Sequence, residues 1–195
     1  MSSRTALPPI GNAQGRKVSG IERLGKRVVI ALDGDLFLVV HLMIAGRLRW
    51  RAVGGKVPAK LGIAYFDFPN GVLILTEAGT KRRASLTLVQ GEAALVAIDR
   101  GGLEPLEATH AAFAERLRRE NHTLKRSLTD PRLFSGIGNA FSDEILHRAR
   151  LSPLLLTSRL DDDSIERLRL ATVAVLSAWT QRTRDEVGAG FPETV

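Results

Sequence analysis

Apolar positions recur with a strand-like rhythm through the first half of the chain and with a helical rhythm through the second. Val28-Val29-Ile30-Ala31-Leu32 and Leu36-Phe37-Leu38-Val39-Val40 are β-rich runs on either side of Asp33-Gly34, a hairpin signal. Arg47-Leu48-Arg49-Trp50 alternates polar with apolar. Ile63 to Phe68 and Val72 to Leu75 flank Pro69-Asn70-Gly71 as a second hairpin, and Ser85 to Val89 adds another strand. Several short strands joined by tight turns predict an antiparallel sandwich or barrel. Residues 1–15, rich in Ser, Pro, Gly and Asn, show no apolar period and read as irregular.

The period changes around Gly101-Gly102. Ala111 to Glu120 reads as a helix with Phe113 and Leu117 on one face and Arg116, Arg118 and Arg119 on another. Leu124, Leu128, Leu133 and Phe134 fall at helix-like spacings, and so do Phe141, Ile145, Leu146 and Ala149. A long helix then begins at Asp161-Asp162-Asp163-Ser164 and runs to about Glu186. Its acidic start suits a helix N-terminus and reads as a cap rather than a metal site. The expected fold class is α+β: an antiparallel β-sandwich over residues 1–104, then a helical domain over residues 105–195.

Charge narrows the partners. Twenty-eight Lys and Arg against twenty-one Asp and Glu give a net charge of +7 and a pI near 10.5. That excess favours nucleic acid or an anionic membrane surface, and is also compatible with a merely soluble basic protein. With no cysteine in the 195 residues, disulfides and Cys-based zinc sites are excluded. The opening residues lack the apolar core of a signal peptide, and the best apolar run, Leu36 to Ile44, is far too short to span a bilayer. The expectation is a cytoplasmic protein with no membrane partner.

The candidate chemistry centres on Lys125 to Pro153. Gly136-Ile137-Gly138-Asn139 is a glycine turn between two apolar-periodic segments. Gly136 and Gly138 permit positive φ and leave backbone N–H groups uncovered. Asn139 stands where an N-cap would, with Asp143 and Glu144 expected in the first helical turn. A bare turn feeding a helix N-terminus is an anion site, and Lys125, Arg126, Arg132, Arg148 and Arg150 are placed around it, which points to a phosphate backbone. On spacing alone, a tight structural corner between two helices fits equally well.

The longer string carries more. Leu128-Thr129-Asp130, Gly136-Ile137-Gly138-Asn139, Asp143-Glu144-Ile145-Leu146 and Ala149-Arg150-Leu151-Ser152-Pro153 closely resemble the helix-two-turn-helix signature of the formamidopyrimidine-DNA glycosylase and endonuclease VIII family. The resemblance implies a base excision repair enzyme, a DNA glycosylase with AP lyase activity. Such an enzyme removes oxidised bases from damaged double-stranded DNA, cleaves at the abasic site and acts as a monomer. In this reading Lys26, just ahead of the first hairpin, is the active-site lysine that contacts the lesion's phosphate and assists proton transfer. On spacing alone it is a solvated strand-end charge. His41-Leu42-Met43-Ile44-Ala45-Gly46-Arg47-Leu48 resembles the family's His-Leu-x-Met-x-Gly-x-Leu segment. This implies a phosphate contact for His41 and places Ile44 as the apolar wedge that fills the gap left by a flipped-out nucleotide. Both are also readable as ordinary strand residues, and for Ile44 the two readings are level. Thr76 to Arg83 sits where the family commonly has Thr-Asp-Pro-Arg-Arg-Phe-Gly. The proline and phenylalanine are not kept, which leaves phosphate contact by Lys81 and Arg82. Lys125, the bare amide of Gly138 and Asn139 match the clamp that anchors phosphates around the lesion.

The resemblance also has gaps. The family begins Pro-Glu-Leu-Pro, whose terminal amine is the nucleophile, and it carries a four-cysteine zinc finger. This chain begins Met-Ser-Ser-Arg and has no cysteine. The expectation is an incomplete copy, with its sandwich short of an initial helix and strand. A structural zinc is implied for a full-length member and none for this chain. Two other readings stand beside the enzyme: a catalytically inactive DNA-binding paralogue or fragment, and an RNA-binding helical module.

Overall fold

The computed structural model describes residues 8–55, 61–78 and 81–192. The chain falls into two compact units, as antiparallel sheets followed by helices. The first takes the described residues up to Arg23, Arg27–Val96 and the chain from Val187; the second takes Leu24–Lys26 and Ala97–Glu186.

In the first unit, β1 (Val18–Leu24), β2 (Arg27–Leu32), β3 (Leu36–His41) and β7 (Ser85–Gln90) form one sheet in the order β1-β2-β3-β7. The strands β4 (Gly46–Arg51), β6 (Gly71–Glu77) and β5 (Gly62–Phe68) form the other, in that order. Ile30, Leu32, Leu36, Leu38 and Leu88 from the first sheet share a core with Leu48, Trp50, Phe66, Phe68 and Leu73 from the second, which makes the pair a sandwich. Both predicted hairpins form. The first closes through Asp33, Gly34 and Asp35, with Gly34 at φ 79° and Asp35 at φ 58°. The second is tighter than expected, because Gly71 already pairs with Phe68 as a strand residue. A side chain there would come within 2.5 Å of the Trp50 ring, so glycine is what lets the indole lie over the strand.

One element escaped the hydrophobic pattern, and another, in the strand-like stretch from Arg16, was only faintly marked. β1 is an edge strand exposed at most of its positions, and α1 (Glu92–Val96) buries none of its residues. Neither has an apolar face to announce it.

The second unit contains α2 (His110–Arg118), α3 (Leu124–Thr129), α4 (Asn139–Ala149) and most of α5 (Asp162–Val187). Phe113, Leu117, Leu124, Leu128, Phe134, Ile145, Ile165 and Leu168 are all fully buried here, each contributing about 1.5–3 kcal/mol of apolar burial. Phe113 and Phe134 meet with ring centroids 4.7 Å apart. The helix-like spacing of Leu133 and Phe134 misled on secondary structure: α3 ends at Thr129, and both residues lie in the turn that follows. They are buried because that turn is bonded to residue 103. Leu103 N–H donates to Leu133 O at 2.9 Å, and Ser135 N–H donates to Leu103 O at 2.8 Å. Gly102 makes the approach possible, since a Cβ there would lie 2.5 Å from Pro131 O. Asp161 caps α5 as expected, accepting from Ser164 N–H at 2.8 Å; the Ser164 side chain first, and this backbone bond second, hold its carboxyl below the usual carboxylate range.

Glu166 fastens the start of α5 to the start of α2. Arg169 donates to it through Nε at 2.8 Å and Nη2 at 2.6 Å, and His110 Nδ1 lies 2.7 Å from its Oε2. The guanidinium bonds first, and His110 second, lower its pKa from 4.5 to about 2. A carboxylate depressed in the folded state contributes stability that is present above pH 4.5 and lost as pH falls towards 2. Glu166→Gln is therefore expected to melt below the parent at neutral pH, with the gap closing as pH falls through that window. A series of thermal melts by circular dichroism from pH 7 to pH 2 checks this.

Candidate nucleic-acid interface

The glycine turn of the second unit is built around α4. Gly136 takes φ 79°, as its position requires. Gly138 does not use the left-handed region: it is extended at φ −110° and ψ −180°, and it is itself the N-cap, with no capping side chain. Asn139 is thus the first helical residue rather than the cap, and no acidic residue falls in the first turn. The reason is local. Ser142 N–H donates to Gly138 O at 2.9 Å and Ser142 Oγ donates to Asn139 O at 2.7 Å, which sets the helix start one residue earlier than the Asn pattern predicts. What results is a helix N-terminus of uncapped amides, exposed at Asn139 and carrying the positive end of the helix dipole.

Lys26 joins this turn. It sits in the β1–β2 connection next to Gly25, which has φ 60°. Its Nζ lies 3.5 Å from where a Cβ of Gly138 would be. Among the described residues no carboxylate or other acceptor holds that ammonium, and partial desolvation lowers its pKa. The structure therefore brings together two predicted site residues that are far apart in sequence. Lys125 is close by along α4: its Nζ donates to both Asp143 oxygens, at 2.7 and 2.8 Å, one helical turn beyond Asn139. The N-terminal amides of α3 are closed by backbone, Leu124 N–H on Leu155 O and Lys125 N–H on Pro153 O. This holds α3 in place beneath the lysine.

Two of the arginines expected around the turn are elsewhere, and a third has a resident partner. Arg132 is held on Asp130 at 2.6 Å. Arg150, in left-handed conformation at φ 52°, closes the far end of α4, and Arg148 sits within the last turn of that helix. At about 1.5 Å per residue, the length of α4 separates both from Gly138. Sequence proximity put them beside the turn; the helix carries them away.

In the first unit the remaining site residues gather at one end of the sandwich. His41 ends β3, half-buried, in register with Arg27 on one side and Ser85 on the other. Gly46 opens β4 opposite Glu77 at the end of β6, so the Ile44 loop and the segment after Glu77 emerge together. Ile44 is 84% exposed, unusual for an isoleucine. Lys81 and Arg82 are exposed in irregular chain, while Gly79 and Thr80 of the same motif lie outside the described residues.

Glu77 was present in the motif without a role. It is 2% exposed, and both its oxygens accept from the backbone N–H groups of Arg83 and Ala84, at 2.9 to 3.2 Å. The buried carboxylate thereby pins the end of the basic segment onto β6. A buried acid in an otherwise apolar strand is the signal that would have found it.

The zinc that the resemblance attaches to the family finds no ligand set here. The sequence has no cysteine, and no cluster of His, Asp and Glu among the described residues suits a metal ion. No helix among them is long and apolar enough to cross a membrane.

Comparison with known proteins agrees with this geometry. Residues 5–137 match the model of the formamidopyrimidine-DNA glycosylase N-terminal domain, and residues 102–187 match that of the formamidopyrimidine-DNA glycosylase H2TH domain. The formamidopyrimidine-DNA glycosylase of Heliobacterium modesticaldum is 34% identical over 187 residues, covering 93% of this chain and 66% of that protein. That of Chloroflexus aurantiacus is 35% identical over 167 residues, covering 83% and 58%. The crystal structure of MutM (Fpg) from Thermus thermophilus superposes with a TM-score of 0.76 at 30% identity, over 93% of this chain and 65% of that one. Lactococcus lactis formamidopyrimidine-DNA glycosylase bound non-covalently to AP-site DNA shares the fold, with a TM-score of 0.77 at 24% identity, over 88% and 68%. The chain spans about two thirds or less of the length of these curated relatives.

The Glu77 tether has a measurable cost. Glu77→Gln keeps the volume but replaces two charge-assisted acceptors with one neutral acceptor and an amide donor. It is expected to cost about 1.5–3 kcal/mol in urea unfolding. Faster hydrogen exchange at the Arg83 and Ala84 amides is expected alongside.

Proposed function

The chain belongs to the formamidopyrimidine-DNA glycosylase family, and on that footing we propose that it grips damaged duplex DNA for base excision repair. The whole protein, in this reading, removes an oxidised base and cleaves the strand at the resulting abasic site, acting as a monomer. Solved relatives from Lactococcus lactis carry AP-site DNA and Fapy-dG DNA, and ligands of that class suit the features described here.

The observation that carries the proposal is Lys26 beside Gly138. A lysine without a carboxylate partner, facing uncapped amides at a helix N-terminus, is a cradle for one phosphate. The phosphate takes hydrogen bonds from the amides and the Asn139 side chain, and the Lys26 ammonium neutralises it. Because desolvation makes that ammonium a stronger acid than a solvated lysine, Lys26 gives up a proton more readily. This supports its part in proton transfer during strand cleavage. Lys125 binds a neighbouring phosphate. These contacts set register and affinity without reading sequence.

His41, Lys81 and Arg82 make further phosphate contacts in the proposal, and Ile44 fills the space vacated by the flipped nucleotide. Without the proline and phenylalanine that the family commonly has after Glu77, base selectivity departs from that of the 8-oxoguanine enzymes. In the cell the protein works on the nucleoid in the cytoplasm.

The test is binding of the 195-residue chain to a duplex bearing an abasic-site analogue at low ionic strength. Lys125→Gln combined with Asn139→Ala is expected to weaken it roughly tenfold to a hundredfold and to flatten the dependence of log K on log salt by about one phosphate contact. Unchanged affinity and slope would overturn the proposal.

A further inference from the structure

We propose that Arg47 is a positioning residue that holds the Ile44 loop in its projecting shape. The inference rests on the reading above, in which Ile44 enters the duplex. Its basis is how little else supports the loop. Ile44 is solvated, so no packing fixes it. Beneath it the loop borders an apolar hollow of about 560 Å³, shared with Val28, Ile30, Leu48 and Phe191. Met43, just before Ile44, sits at φ 55°, a conformation that a side chain with a Cβ rarely adopts. The loop must be held there by something outside its own preferences.

Two features do so. Gly46 N–H donates to Leu42 O at 2.9 Å, closing the turn at a position where any Cβ would run into that carbonyl. Arg47 Nη1 then donates to Ile44 O at 3.1 Å and to Gly46 O at 2.8 Å. The first of these two bonds reaches the tip itself. Arg47 is in turn anchored by the sheet. It pairs with Thr76 on β6, whose Oγ1 donates to Arg47 O at 3.4 Å. The order of support runs from β6 through the Arg47 backbone and guanidinium to the Ile44 carbonyl. Both bonds leave one nitrogen whose hydrogens are fixed in the guanidinium plane; a lysine ammonium has hydrogens enough for both carbonyls but no fixed direction for them, so Lys is a partial substitute.

Arg47 is distinguished here from a phosphate-binding arginine, since its bonds go to the loop's own carbonyls. Three readouts on the 195-residue chain separate the roles. In the free protein, Arg47→Ala is expected to raise hydrogen exchange at the Ile44 to Gly46 amides by roughly tenfold, with β6 unchanged. With a duplex carrying an abasic-site analogue and 2-aminopurine in the opposite strand, the fluorescence rise at saturating protein is expected to fall about as far as in Ile44→Ala. Arg47→Lys is expected to recover part of it, and the salt slope of binding to stay as in the parent.

An Arg47→Ala protein with full fluorescence rise and parental exchange overturns the proposal. So does one whose salt slope drops while the rise is kept, which would make Arg47 a phosphate contact. Should Arg47→Ala unfold, the Lys variant decides on the same two readouts. If the parent chain does not bind the duplex, the functional reading fails and the proposal falls with it. If the parent binds and Ile44→Ala loses the rise while Arg47→Ala keeps it, only the positioning role fails.

Discussion

A helix that begins without a side-chain cap leaves amide hydrogens wanting acceptors, and the second unit is organised so that α4 can begin that way. Gly138 occupies the cap position with nothing to offer, while nearby segments close their backbone bonds on each other. Residue 103 is laced to the turn after α3, and the start of α3 to the carbonyls of Pro153 and Leu155. These backbone bonds close the frame around the turn, while the first amides of α4 are left without a capping side chain. Lys26 arriving at that point turns a local deficit into a site for negative charge.

The first unit solves a different problem, which is how to hold two loops without burying them. Its sandwich core ends where the loops begin, and beyond it the restraint passes to single polar groups: the Glu77 carboxylate on one segment and the Arg47 guanidinium on the other. Because Gly46 and Glu77 face each other across β4 and β6, both restraints start from the same pair of strands. A loop pinned by one or two hydrogen bonds keeps its tip exposed and its shape defined at once.

Hydrophobic spacing made the two hairpins, the α2 face and the long α5 readable, because in each the buried positions repeat with the period of the element. α1 lacked such a face and went unread, and β1, within a stretch already strand-like from Arg16, was not resolved as a separate strand. Asn139 was placed one residue off because glycine can serve as an N-cap through backbone shape alone, and composition does not show which of two adjacent residues turns the chain. Arg148 and Arg150 looked like neighbours of the turn because linear distance ignores where a helix carries its far end. Lys26 was a site residue only through resemblance to a family, and its nearness to Gly138 was not legible, because it joins segments far apart in sequence. Arg47 was not legible at all, since its role depends on which carbonyls lie within reach once the loop has folded.

The Lys125–Asp143 pair has a consequence for how the clamp discriminates. In the proposed clamp Asp143 is a resident anion, already seated on the ammonium that would take a phosphate. It acts as an internal competitor, so a passing polyanion gains from Lys125 only the difference between two similar ion pairs. A strand that reaches the α4 amides and Lys26 at the same time gains more than that difference. On the proposed function, the carboxylate thus tilts the surface against casual adhesion and towards a nucleic acid seated in full register.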